Sequence, residues 1–302
     1  MRVELLNTGT ELLLGAVLNT HVRLFAEALF PLGLRIQRQI TVPDGPAIRE
    51  NLEQAAAHAD IVLVTGGLGP TTDDITREAV AEWLGLPLEQ DPEVLTAIGA
   101  RFERRGLPMS LRNARQAERP RQATVLANPH GTAPGLYLPP QPAPGSSARS
   151  PHLFLLPGPP RELQPMLHDH VVPILRRLAP PAPDLQMRVL RLAGIGESAV
   201  EERVGEPLLA LGLELGYCAR PREVDVRLIG SAEMLARGEA IVRAAFPAEL
   251  VSDDQRSLEK VVVDLLRARG QTIATADRAP VGHWRIDSPT CRERHTLFSP
   301  GS

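Results

Sequence analysis

The sequence predicts an α/β protein: a three-layer first domain around a mostly parallel sheet, then a smaller α+β domain. Three observations predict it. Short β-branched runs at 3–6, 34–42 and 61–64 alternate with stretches of helical periodicity, the order of a parallel sheet covered on both faces. Polar or glycine-bearing turns follow each of those strands. A proline-rich break at 179–183 then precedes a second group of elements.

The elements follow in order. Residues 3–6 read as a buried strand, and Asn19 is a candidate N-cap for a helix placing Val22, Phe25, Ala26 and Leu29 on one face. Residues 34–42 alternate as a strand. Asp44-Gly45-Pro46 opens a helix continued by Leu52, Ala55 and Ala56, with Pro46 suited to a first turn. Residues 61–64 form the third strand. Ile75, Ala79, Val80, Trp83 and Leu84 then recur at helical spacing up to Gly85. Asp91-Pro92 starts a helix that stops at Gly106, 123–127 is a short strand, 139–151 a flexible insertion and 153–156 another strand. The first domain is expected to span 1–178 and the second 184–252, with strands at 187–192 and around Val224, Val226 and Leu228, and helices to about Leu211 and over Ala232–Ala245. Residues 253–302 form a third segment, in which Ser257 caps a helix ended by Gly270 and 271–276 reads as a strand.

The stretch 65–76, T-G-G-L-G-P-T-T-D-D-I-T, carries the chemistry. Gly66, Gly67 and Gly69 allow close backbone approach to a ligand, and a helix N-terminus just beyond favours an anion. Thr71, Thr72 and Thr76 offer hydroxyls. Asp73 and Asp74 would repel a bare phosphate, so they make sense with a divalent cation between. The same residues also suit a tight turn that caps the helix. In parallel sheets ligands gather beyond the carboxyl ends of the strands, which puts 8–11, Asp44 and 66–74 along one edge. Residues 128–135, with Gly131, Thr132 and Gly135, give a second glycine-threonine stretch after a strand.

Composition narrows the class. A net charge of -3 gives no basic footprint for nucleic acid. Gly194 and Gly196 lack the G-x-x-G spacing with which a KH module clamps nucleic-acid backbone. The two cysteines, Cys218 and Cys291, are far apart and imply neither disulfide nor zinc. With no signal-peptide pattern and no run of transmembrane length, a soluble cytoplasmic protein is expected. His168 and His170 are expected at the surface and not as a metal pair.

Five ordered motifs resemble the competence/damage-inducible CinA family: Gly9-Thr10-Glu11-Leu12-Leu13 with Gly15, Asn19 and Thr20; Gly66-Gly67-Leu68-Gly69-Pro70-Thr71 with Asp73-Asp74; Arg115-Gln116-Ala117; Gly131-Thr132-Ala133-Pro134-Gly135; and Leu156-Pro157-Gly158-Pro159-Pro160. The resemblance covers roughly 1–276. It implies a molybdopterin-binding-like first domain, a KH-type second domain, a homodimer, and metal-dependent hydrolysis of ADP-ribose at its diphosphate, with magnesium or cobalt. On that reading Asp74, Asp73 and Asp44 hold the metal or activate water, and Asp44 and Asp74 line up with the acidic pair of molybdenum-cofactor biosynthesis relatives. Gly66, Gly67, Gly69, Thr71 and Thr72 cradle the phosphates. Thr8, Glu11, Asn19, Thr76, Gly131, Thr132, Gly135, Gly158 and Glu162 complete the candidate substrate contacts. A non-catalytic module holding a pterin phosphate or a nucleotide in the same cradle is the alternative, and a non-functional remnant the third reading.

The family continues into a nicotinamide mononucleotide deamidase domain that opens E-S-C-T-G-G after the position of Ala276. This chain instead reads Asp277-Arg278-Ala279-Pro280-Val281-Gly282 and ends at Ser302. Loss of one base after Ala276 accounts for the change, since plausible codons for 277–298 restore the family motif in the shifted frame. A disordered tail beyond about 276 and absence of deamidase activity are therefore expected, with His283, Cys291 and His295 as by-products of the shift.

Overall fold

The computed structural model describes residues 1–142, 149–179, 184–254 and 256–273. The first domain runs β1 (Val3–Thr8), a single helical turn α1 (Thr10–Leu13), α2 (His21–Leu29), β2 (Ile36–Val42), α3 (Ala47–His58), β3 (Ile61–Thr65) and α4 (Thr76–Leu84). It continues with β4 (Leu88–Gln90), α5 (Pro92–Glu103), α6 (Leu111–Ala114), β5 (Glu118–Pro120), β6 (Thr124–Leu126), β7 (Gly135–Leu138), β8 (His152–Leu156), α7 (Pro160–Met166) and α8 (Val172–Leu178). Six strands form one sheet in the order β2-β1-β3-β8-β7-β6, while β4 and β5 pair separately. The strands β2, β1, β3 and β8 are parallel; β7 and β6 are antiparallel additions.

Both faces of this sheet are buried, which is why its strands are continuous apolar runs. Alternate residues serve opposite layers. Val62, Val64, Leu153 and Leu155 pack on one side with Ile48 and Leu52 of α3 and Val80 and Leu84 of α4. Ile61, Leu63, Phe154 and Leu156 pack on the other with Phe25 and Leu29 of α2 and Leu163 and Met166 of α7. The first domain is thus three-layered, as the sequence predicts.

Several local expectations need correction. The N-cap of α2 is Thr20; Asn19 instead accepts from the His21 amide, 3.0 Å, in a local side-chain turn. Ala26 is exposed on α2, because the buried stripe of this short helix is His21, Phe25 and Leu29. Pro46 sits one residue before α3 and not inside its first turn. The ends of the 139–151 insertion are ordered: Gln141 and Ser150 are buried and joined by backbone and side-chain hydrogen bonds, while 143–148 lie outside the described residues.

The second domain contains β9 (Gln186–Ala193), α9 (Glu197–Ala210), β10 (Glu214–Arg220), β11 (Glu223–Gly230), α10 (Ala232–Ala245) and β12 (Leu250–Ser252), its sheet ordered β10-β11-β9-β12. The helix α11 (Leu258–Ala268) follows, with Ser257 Oγ accepting from the Lys260 amide, 3.3 Å, and Gly270 left-handed beyond it. Residues 271–273 are not in a strand, and the expectations for 274–302 lie outside the described residues. Among the described residues no helix is long and apolar enough to cross a membrane.

Candidate functional site

The four parallel strands all deliver their following loops to one edge of the sheet, and those loops line a cavity of about 370 Å3. Thr8, Gly9 and Glu11 come from the end of β1, Asp44 from β2, Gly66–Pro70 with Asp73 and Asp74 from β3, and Pro157–Pro159 with Glu162 from β8. Gln116, Thr132 and Ala133 close it from the antiparallel side.

The glycine corner after β3 has a specific backbone arrangement. The carbonyl of Gly66 accepts from Thr76 Oγ1 at 3.0 Å, that of Gly67 from the Thr76 amide at 3.1 Å, and that of Leu68 from Arg77 Nη1 at 2.7 Å. In a planar trans peptide the C=O and the next N–H point in opposite directions. The N–H groups of Gly67, Leu68 and Gly69 are therefore turned away from Thr76 and Arg77 of α4, and all three residues line the cavity. None has a hydrogen-bond partner among the described residues. Successive amides so directed make an anion nest. Glycine is required where they turn: Gly66 and Gly67 have φ of 98° and 66°. An added Cβ would stand 2.5 Å from Thr8 Oγ1 in the first case and 2.1 Å from Thr76 Oγ1 in the second. The Thr8 hydroxyl, buried against this corner, has no partner among the described residues. Neither has the buried side-chain oxygen of Gln116, which also lines the cavity.

The wall of the cavity is acidic. Asp44 Oδ2 accepts from the Thr10 amide, 2.9 Å, and hydroxyl, 3.2 Å. Asp74 Oδ2 accepts from the Thr71 amide, 2.9 Å, and from its hydroxyl. Each carboxylate is thus aimed by one oxygen, with its Oδ1 unengaged among the described residues. Glu162 is anchored by Asn128 Nδ2 at 2.7 Å. Among the described residues no three acidic, histidine or cysteine side chains are placed to share one metal ion. The donor set still suits magnesium, which takes one or two carboxylates and completes its shell with water and phosphate oxygens.

Of the predicted site residues, Thr8, Glu11, Asp44, Gly66, Gly67, Gly69, Asp73, Asp74, Thr132, Gly158 and Glu162 line this cavity. The others do not. Thr76 is buried and spends its hydroxyl on the corner, and Thr71 on Asp74. Thr72 is exposed outside the cavity, Asn19 serves the local turn, and Gly135 starts β7, where a Cβ would strike Met166. Gly131 belongs to a neighbouring cavity of about 680 Å3 that shares Thr132, has an apolar wall of Val94, Ala97, Ile98 and Val125, and carries Arg101, Asp169 and His170. At the amino end of α4, Gly67 O takes the first amide, while the amides of Arg77 and Glu78 have no acceptor among the described residues. The aspartates do not cap α4 either, since its N-cap is Ile75 with no side-chain bond. His168 is exposed and His170 half-buried, in a stretch separate from the acidic cavity.

Three functional positions escaped the sequence reading. Gln116 stood in the sequence only within the Arg115-Gln116-Ala117 motif, with no role of its own. Arg77 is 1% exposed beneath the corner, although arginine on a helix ordinarily marks the solvent face. His21 opens α2 fully enclosed, its Nε2 2.8 Å from the Gly158 carbonyl and its Nδ1 2.9 Å from Thr65 Oγ1. Desolvation lowers the His21 pKa, against the opposing hydrogen bond to Gly158.

Comparisons with known proteins find relatives for both domains. Residues 4–177 match the family described as "Probable molybdopterin binding domain", and residues 187–245 the "Damage-inducible protein CinA KH domain". A CinA-like protein of Akkermansia muciniphila is 46% identical over 93% of this chain and 67% of its own length. A putative competence-damage inducible protein of Symbiobacterium thermophilum is 41% identical over 96% of this chain and 69% of its own. Among solved structures, CinA of Thermoplasma acidophilum, described as of unknown function, is 28% identical with a TM-score of 0.50, over 57% of this chain and 97% of its own.

Proposed function

The chain belongs to the CinA family, and we propose that its first domain hydrolyses the diphosphate of ADP-ribose, or of a similar nucleotide diphosphate, with magnesium or cobalt. One observation carries this reading: the unpaired amides of Gly67, Leu68 and Gly69 belong to the same cavity lining as the aimed carboxylates of Asp44 and Asp74, the latter packed against Gly69. The amides receive phosphate oxygens, and the charge that grows on the leaving phosphate in the transition state strengthens those bonds. A bound divalent metal supplies charge neutralisation and a more acidic water. Asp44 would hold it through its unengaged oxygen, with Asp73 beside it, and the unengaged oxygen of Asp74 is left for the water. Asp74 orients the attacking water and takes its proton as the water oxygen bonds to phosphorus and the bridging P–O bond breaks. The products are AMP and ribose 5-phosphate. The adjoining cavity, with its apolar wall and shared Thr132, suits the nucleoside half.

The test is incubation of the purified chain with ADP-ribose and magnesium or cobalt, with AMP measured by chromatography. Asp74→Asn should abolish turnover and leave the fold intact; full activity in that variant overturns the assignment. Binding of ADP-ribose without product would favour a non-catalytic nucleotide or pterin-phosphate module in the same cradle. We also read the chain as a homodimer, to be checked by light scattering.

A further inference from the structure

Arg77 heads the chain's largest fully buried side chains. A guanidinium removed from water costs several kcal/mol unless a carboxylate neutralises it. Here the nearest salt-bridge partner is Glu78, whose Oε1 stands 3.9 Å from Arg77 Nη2 and is already taken by Arg115 Nη2 at 2.8 Å. Two guanidinia share one carboxylate. The hydrogen bonds of Arg77 go to main chain instead: Nη1 to Leu68 O at 2.7 Å and Nη2 to Gly69 O at 3.4 Å, while Nε is buried without a partner. Carbonyls solvate a cation but do not cancel its charge. The Asp74 and Glu118 carboxylates act on it from further off and Arg115 opposes them, so a partly offset positive charge stands behind the peptides whose amides form the nest.

The position has a second consequence. The rigid fork of arginine reaches two consecutive carbonyls at once, which a point-like ammonium cannot do. Holding Leu68 O inward fixes the Gly69 amide outward, and Pro70 has no N–H that a turned peptide could offer instead. The corner and the buried cation are thus one device.

We propose that Arg77 is the positioning residue of this phosphate cradle: it locks the 68–70 peptides carbonyl-inward and supplies the counter-charge for a diphosphate that it never touches. This rests on the cavity being a phosphate site, as proposed above, but not on its catalysing hydrolysis. Two variants separate the roles. Arg77→Lys keeps the charge and loses the fork; Arg77→Gln keeps one donor and loses the charge. Circular dichroism and thermal melting first establish the folded fraction of each, and calorimetry with pyrophosphate and magnesium then reads affinity per folded molecule.

The expected result is a Kd raised about tenfold in Arg77→Lys and about a hundredfold in Arg77→Gln, the scale of about one and two charge-assisted hydrogen bonds. With ADP-ribose the loss should appear in both KM and kcat, since the cradle grips the bound diphosphate and holds the transition state more tightly still. Folded Arg77→Gln with wild-type pyrophosphate affinity overturns the proposal, as does a loss of stability in both variants with unchanged affinity of the folded fraction. Wild-type protein that binds pyrophosphate without cleaving ADP-ribose defeats the hydrolase reading alone. Wild-type protein that binds no pyrophosphate defeats both.

Discussion

Replacing Gly67 by alanine tests the backbone arrangement on which the site depends. The residue has φ of 66°, so any L side chain there carries the left-handed penalty of about 1–2 kcal/mol. An added Cβ would also stand 2.1 Å from Thr76 Oγ1, a separation no relaxed structure keeps. The threonine hydroxyl must swing away, breaking its 3.0 Å bond to Gly66 O and leaving that carbonyl under-satisfied, at about 1–2 kcal/mol more. The sum is about 3 kcal/mol, or a fall in melting temperature of roughly 6–12 °C for a unit of this size. Gly15→Ala is the control, because Gly15 has φ of 71° and nothing within 4 Å of the added carbon. It should show the conformational penalty alone. Urea titration of both single variants, with Thr76→Ala and the Gly67→Ala/Thr76→Ala double variant, closes a cycle in which removing the hydroxyl relieves part of the Gly67 cost. If Gly67→Ala costs no more than Gly15→Ala, the hydroxyl does not hold the corner and the outward amides lose their support.

Two further outcomes follow from the first domain. Because burial holds the His21 imidazole below its ordinary value of 6.5, the unfolded chain takes up a proton where the folded ring stays neutral. Stability is therefore full above about 6.5, falls as the pH drops through that value, and stops falling below the folded pKa. Urea midpoints between pH 7.5 and 5.5 should show this slope, reduced in His21→Gln, with His152, lowered by burial in the same direction, supplying the remainder. Asp91→Ala should destabilise by about 1–2 kcal/mol in thermal melting, since Asp91 Oδ1 accepts from the Glu93 and Val94 amides at 3.1 Å and caps α5.

The parallel core was legible because buried parallel strands write themselves as unbroken apolar runs, and Ile61–Thr65 and His152–Leu156 are such runs. The antiparallel β7 was not. It begins at a glycine, has four residues, and owes its place to pairing with β8, which no local pattern encodes. The strands β4 and β5 are three residues each and equally silent. Much of the candidate site was legible through the rule that ligands gather at strand ends, and Thr8, Asp44, Gly66 and Asp74 do meet there. What the sequence hid was division of labour among neighbours. Thr71 and Thr76 look like Thr8, yet they serve Asp74 and the corner, while Thr8 keeps its hydroxyl unpaired among the described residues. Only the fold separates them. Arg77 was hidden for a different reason, since its burial depends on carbonyls that turn inward only once the corner has formed.

The charge on the cavity wall leads to the most direct test of the metal. Glu11, Asp44, Asp73, Asp74 and Glu162 all line it, and no lysine or arginine stands among the lining residues. Two unit charges about 6 Å apart at an effective dielectric of about 20 repel by roughly 3 kcal/mol. A diphosphate entering without a cation meets several such pairs, and the nest of amides must offset them. Removing two of the carboxylates as Asp44→Asn/Asp74→Asn should therefore tighten metal-free pyrophosphate binding by about tenfold or more, even as turnover disappears. Added magnesium should strengthen binding to the wild-type protein and do little for the double variant. Calorimetry with and without chelator reads both effects. If the variant loses turnover but its metal-free affinity and its response to magnesium match the wild type, the aspartates act on water alone and the cation is held elsewhere.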